Sequence, residues 1–172
     1  MTPDATPALA GNPALVAPSL RRRMACWLYE GVLLFAVVFV AGFVFSTVFR
    51  MQNAMDPNRP LLQAFVFAVF GLYFAGFWSR GRQTLAMKTW HIRLVDLHGR
   101  PVTASRALLR YVLAWIWFLP PLAVIAPFGL RAGEVAVLAV GWVLVWALLS
   151  RFHPQRQFWH DALAGTRLVS AT

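Results

Sequence analysis

The chain of 172 residues predicts an all-α membrane protein with four transmembrane helices and a small cytoplasmic cap. Three observations lead there. Four apolar runs are fenced by arginines: 26 residues between Arg23 and Arg50, 20 between Arg59 and Arg80, 20 between Arg110 and Arg131, and 19 between Arg131 and Arg151. Crossing the hydrocarbon core takes a helix of about 20 mostly apolar residues. Charged residues make up only 13% of the chain and hydrophobic residues 59%, whereas soluble domains are about 25% charged. The basic residues are also segregated. With a cytoplasmic N-terminus and four crossings, thirteen lie inside and only Arg50, Arg59 and Arg131 outside, as the positive-inside rule expects. The net charge of +10 therefore reads as topology and attraction to anionic lipid headgroups. Nucleic-acid binding would call for a basic patch on a folded domain.

The elements follow in order. Residues 1–18, rich in Pro and Ala and poor in aromatics, read as a disordered cytoplasmic tail; they lack the ordered features of a secretory signal. Residues 19–170 read as one transmembrane domain. Its first span covers about 24–49. A short loop with the turn-prone Asp56-Pro57-Asn58 leads to the second, about 61–78. There Ala64, Ala68, Gly71 and Ala75 form one stripe of small residues, a helix-packing face. The third span, about 111–130, carries Pro120-Pro121 at its middle. Two missing backbone donors there predict a kink, a static bend or a hinge. The fourth covers about 135–149.

The central loop, residues 79–110, carries its own structure. Gly81–Met87 predicts a short interfacial helix. Trp90, Ile92 and Leu94 alternate with His91, Arg93 and Val95 as in a strand. Asp96-Leu97-His98-Gly99-Arg100-Pro101 has turn chemistry, and Thr103 or Ser105 is placed to cap the next helix. In the tail, Gln155–Leu163 predicts an amphipathic helix ending at Gly165. Thr166–Val169 then returns to strand-forming residues. Pairing of Thr166–Val169 with Ile92–Val95 would give a two-stranded β patch at the cytoplasmic surface.

Glu30 is the sharpest chemical signal, the single charge in the first run. It lies roughly 10 Å beyond Arg23 along a helix. A carboxylate at that depth needs a partner or a wet cavity. Arg23, two turns earlier on nearly the same face, is one expected partner and Arg110 another. The pair would fix helix register, or Glu30 would serve as a proton- or cation-binding site. Asp161, beside His160, is expected to hold a basic residue of the central loop, such as Arg82, Lys88 or Arg93, and so to dock the tail. The four histidines lack ligand spacing, so no metal is expected. No nucleophile–base set or phosphate-binding loop is present, so neither catalytic residues nor a cofactor is expected. The lone Cys26 permits no internal disulfide.

Several stretches together resemble the RDD family of bacterial membrane proteins. They are Arg23-Met24-Ala25-Cys26-Trp27-Leu28-Tyr29-Glu30, Arg82-Gln83-Thr84-Leu85-Ala86-Met87-Lys88, Ile92-Arg93-Leu94-Val95-Asp96 with Gly99-Arg100-Pro101, and His160-Asp161-Ala162-Leu163-Ala164-Gly165-Thr166. The resemblance spans about residues 19–170. Arg23 and Asp161 match the arginine and the last aspartate for which the family is named, and Glu30 replaces the middle aspartate, keeping the charge with one more methylene. The resemblance implies a bacterial inner-membrane protein without a settled activity. The leading expectation is a non-enzymatic accessory or assembly protein whose Arg23, Glu30 and Asp161 hold helices and cap together. The alternative is a proton- or cation-coupled transporter with Glu30 as ion site and Pro120 and Pro121 as hinge. With only four spans, transport implies a homo-oligomer; an accessory role implies another membrane protein as partner.

Overall fold

The structure is a computed structural model and describes residues 16–53, 56–116, 129–150, 152 and 157–171. Helix α1 (Leu20–Val48) opens at Ser19, whose hydroxyl accepts from the Arg22 amide at 3.4 Å. Helix α2 (Arg59–Trp78) begins with Pro60 in its first turn, where the missing N–H has no intrahelical partner to lose. Both are long and apolar enough to cross a membrane; the segment Gly133–Leu149 is apolar but shorter. Helix α3 (Leu85–Thr89) is capped by Thr84, whose hydroxyl oxygen accepts from the Met87 amide at 3.1 Å. Strand β1 (Ile92–Asp96) follows. Asp96 closes the next turn: Oδ1 accepts from the His98 and Arg100 amides, both at 2.8 Å, and Gly99 supplies a φ of 83°. The Arg100 amide, above all, holds the Asp96 carboxyl below its ordinary value.

Helix α4 (Ala104–Ile116) starts after Thr103, whose oxygen accepts from the Arg106 amide at 3.4 Å. It is entered seven residues before the expected third span. Residues 117–128 lie outside the described residues, and with them the proposed hinge at Pro120 and Pro121. Helix α5 (Ala132–Leu149) is opened by Glu134, whose carboxylate accepts from the Arg131 amide at 2.8 Å. That gives the only acid of the fourth run a role at the helix end. Helix α6 (Trp159–Leu163) and strand β2 (Thr166–Ser170) complete the fold, with Gly165 turning between them at φ 65°.

The two strands pair as expected, and they do so antiparallel, Ile92 opposite Ser170 through Asp96 opposite Thr166. So the fold is mostly helical with a two-stranded sheet, and the sheet, α3 and α6 form a cap at one end of the long helices. The start of α1, the end of α2, the start of α4 and the end of α5 all meet it. Val16, within the expected tail, accepts from the Ser170 amide at 2.9 Å. Arg22 clamps α1 to the cap, donating to the Trp90 carbonyl at 2.6 Å and the His91 carbonyl at 2.8 Å.

Beneath the cap, α2 packs on α4. A Cβ built at Gly71 would stand 3.3 Å from a Tyr111 ring carbon, so glycine lets the two helices approach closely here. Tyr111 then donates to the Phe67 carbonyl at 2.8 Å. Of the small-residue stripe, Gly71 is buried at this contact and Ala75 half-buried, while Ala64 and Ala68 are exposed.

Candidate functional site

Two buried charge sites lie where the helices meet the cap. The first is Asp161 on α6, with no exposed surface. Its Oδ1 accepts from Arg110 Nε at 2.6 Å and stands 3.1 Å from His160 Nε2. Burial pushes the Asp161 carboxyl up, but the charge of Arg110, aided by His160, outweighs it and holds the group well below the usual carboxylate range. Arg110 also lies over the Trp78 ring, 4.0 Å from its centroid. Thr166 donates to the Asp161 carbonyl at 3.1 Å, tying α6 to β2.

Asp161 holds a basic residue of the expected central loop, residues 79–110, but that residue is Arg110 rather than Arg82, Lys88 or Arg93. The reason is placement. Helix α6 docks against α4, whereas Arg82, Lys88 and Arg93 project outward and are exposed.

The second site is Glu30 on α1, 8% exposed. Tyr73 of α2 donates to Oε1 at 2.7 Å, and Thr84 of the cap donates to Oε2 at 2.5 Å. One carboxyl group thus joins α1, α2 and the cap. The expected pairing of Glu30 with Arg23 or Arg110 is corrected here: among the described residues no ion pair reaches Glu30. Arg110 is engaged by Asp161, and the Arg23 guanidinium turns instead over the Phe158 ring, 4.6 Å from its centroid.

Arg23 is 4% exposed, and among the described residues its Nε and Nη1 have no hydrogen-bond partner. Asp161 is within electrostatic reach of it, but the bonded position on Oδ1 belongs to Arg110. A buried cation without bonded acceptors is costly, and such groups in membrane helices mark functional positions.

Arg23 and Glu30 both open onto a cavity of about 370 Å³. Its walls are Trp27, Gly31 and Leu34 of α1, Phe70 and Phe74 of α2, Ala114 and Trp115 of α4, and Trp142, Val143 and Trp146 of α5. Arg110, Phe158 and His160 close its cap end. Helix α5 joins the cap through Trp146, which stacks on Phe158 at 4.4 Å and on His160 at 5.3 Å. The volume falls within the range of small-molecule sites, and an apolar wall with a few convergent polar groups is their usual chemistry. Among the described residues no three His, Cys, Asp or Glu side chains gather as a metal would need.

Sequence reasoning missed Tyr73, Thr84, Arg22 and Gln157. Gln157, 1% exposed, donates from Nε2 to the Leu168 carbonyl at 3.0 Å and accepts from the Leu168 amide at 2.9 Å, standing in for a third strand. Tyr73 did carry a signal. A phenol inside an apolar helix needs a hydrogen-bond partner, and Glu30 was the acceptor at hand.

The RDD family's model matches residues 17–165. No curated protein and no solved structure matches the chain.

Proposed function

On the premise that the chain belongs to the RDD family, we propose that it is a non-enzymatic, multi-pass accessory protein of the bacterial inner membrane that holds a small ligand in a chamber among its helices. In this reading four spans cross the bilayer and both termini are cytoplasmic. Supporting that orientation, the capped end carries Arg21, Arg22, Arg23, Arg80, Arg82, Lys88, Arg93, Arg100, Arg106, Arg110 and Arg167, and the opposite end only Arg50, Arg59 and Arg131. The exposed Val32, Phe35, Phe39 and Phe43 of α1 face acyl chains or a second membrane protein, and the outward basic residues of the cap meet anionic headgroups.

The observation that carries the reading is the cavity itself, apolar along the helices and charged at the cap. Its test is binding of a neutral polyene fatty-acid methyl ester, read as energy transfer from the tryptophans of the wall. Gly31 lines the chamber and a Cβ there meets nothing within 4 Å, so a side chain can start from this position and Gly31→Phe is the variant to occupy the chamber. Saturable transfer lost in a stably folded Gly31→Phe variant is the expected result. Transfer unchanged by that variant would refute a chamber at this place.

A second reading, proton- or cation-coupled transport, has one observation in its favour. Both Glu30 oxygens are held by neutral hydroxyls rather than by a cation. Against it, Arg23 and Arg110 line the same cavity, so a mobile cation meets two positive charges near one carboxylate. Cation exchange driven by a pH gradient in vesicles, present in wild type and absent in a stable Glu30→Gln variant, would bring this reading to the front.

A further inference from the structure

Arg23 lies at the charged end of an apolar chamber, buried, with two guanidinium nitrogens lacking acceptors. The nearby acids do not hydrogen-bond to it: Glu30 accepts from Tyr73 and Thr84, Asp161 Oδ1 accepts from Arg110, and Asp161 Oδ2, also buried, acts on Arg23 through its charge alone. From this we infer that the chamber takes a single-chain amphiphile with an anionic head, a carboxylate or a phosphate monoester, and that Arg23 binds the head. The inference rests on the ligand-chamber reading above and names the ligand's chemistry.

Three features fit together. The head would supply the missing acceptors, and hydrogen bonds between a guanidinium and an oxyanion are about twice as strong as neutral ones. The chain would lie along Leu34, Phe70, Trp115 and Trp142, where it leaves one apolar surface for another. The position along α1 suits a lipid-like molecule as well. Arg23 is in the first turn of the helix and Leu34 eleven residues further in, so head and chain would keep the depths they have in a leaflet.

Phe158 holds the guanidinium from its other face, so the cation is presented rather than left to reach for the membrane surface. Arginine suits this better than lysine, because its planar fork stacks on a ring and still offers donors at its edge.

The test uses the full chain in nonionic micelles and compares cis-parinaric acid with its methyl ester, again by transfer from tryptophan. A charge-assisted hydrogen bond is worth roughly 1.5–3 kcal/mol, so wild type should bind the acid about tenfold or more tightly than the ester. Arg23→Met should abolish that preference while leaving ester binding intact, and Arg23→Lys should keep part of it. Laurate and dodecyl phosphate should each displace the probe, with the stronger competitor identifying the head, while acetate and inorganic phosphate should not. Equal binding of acid and ester in wild type, or an acid preference that survives Arg23→Met, would overturn the inference and leave the chamber standing. If Gly31→Phe changes neither ligand's binding, the chamber reading falls with it.

Discussion

Asp161 and Glu30 are both buried acids facing the same end of the same helices, and their surroundings differ in kind. Asp161 has a cation bonded at 2.6 Å, a histidine beside it and an aromatic ring behind that cation. Glu30 has two hydroxyls, while Arg23, two turns away on its own helix, stands unpaired over a phenylalanine. The first arrangement is bonded: Asp161 Oδ1 and Arg110 fasten α6 to α4, while Asp161 Oδ2 makes no hydrogen bond. The second leaves a cation unspent beside an open cavity. A buried pair is thus a lock where its partners meet, and a site where they are kept apart.

The largest expected effect is at the lock. Asp161→Asn leaves Arg110 as an uncompensated buried charge, which costs on the order of 3–5 kcal/mol. The loss should appear as a large fall in the unfolding midpoint of the purified protein. Replacing both partners, Arg110→Met with Asp161→Leu, should restore most of it, since an apolar pair of similar volume is often neutral or better. A double variant as unstable as the single one would mean that the charge pair does more than satisfy itself.

The same lock sets an acid limit. The folded-state pKa of Asp161 is depressed, so its contribution is fully present above the ordinary aspartate value of about 3.9. It is lost as pH falls below that value toward the depressed one. Unfolding midpoints measured downward from about pH 6 should hold steady to about pH 4 and then drop. Asp161→Asn should remove its share of that slope.

Next in size is the helix approach at Gly71. A Cβ there is already in tight contact with the Tyr111 ring at 3.3 Å, so the further methyls of valine overpack the α2–α4 contact, which costs typically about 1–3 kcal/mol. Gly71→Val should lower the midpoint, whereas Gly76→Ala, inside α2 where a Cβ meets nothing within 4 Å, should not lower it and should raise it slightly. The smallest of these effects is expected at Thr84. Thr84→Val removes one of the two donors to Glu30 and the cap of α3, a loss of roughly 1–2 kcal/mol. Thr84→Ser, keeping the hydroxyl, should recover most of it.

Much of the fold could be read from local patterns. Hydropathy located α1, α2 and α5 to within a few residues, and the alternation at Ile92–Val95 with the strand formers at Thr166–Val169 foretold the ladder. Helix α4 shows the limit. The cap at Thr103 announces its start and the turns that carry Arg106 and Arg110, whereas the apolar run taken alone begins only at residue 111.

The site was legible only in its parts. Arg23 and Glu30 share a helix face, and spacing alone joins them. The actual partners come from 43 and 54 residues away along the chain, a distance at which no periodicity speaks. The choice of Arg110 over Arg82, Lys88 and Arg93 for Asp161 depends on which face of the cap docks, and that follows from Trp146, Phe158 and His160 stacking under it. The expected arginine–glutamate pair failed for the same reason: Glu30 and Arg110 each had a better-placed polar partner from another element, and Arg23 lies over the Phe158 ring.

The most direct measurement makes one substitution in two places. Arg110→Met and Arg23→Met are purified in the same micelles and unfolded side by side. Arg110→Met strands Asp161, and its midpoint should fall by the equivalent of about 3–5 kcal/mol. Arg23→Met removes a cation that has no bonded partner, and its midpoint should match or exceed that of wild type. Equal, large losses at both positions would contradict the account, because Arg23 would then be part of the lock rather than a charge held ready beside it.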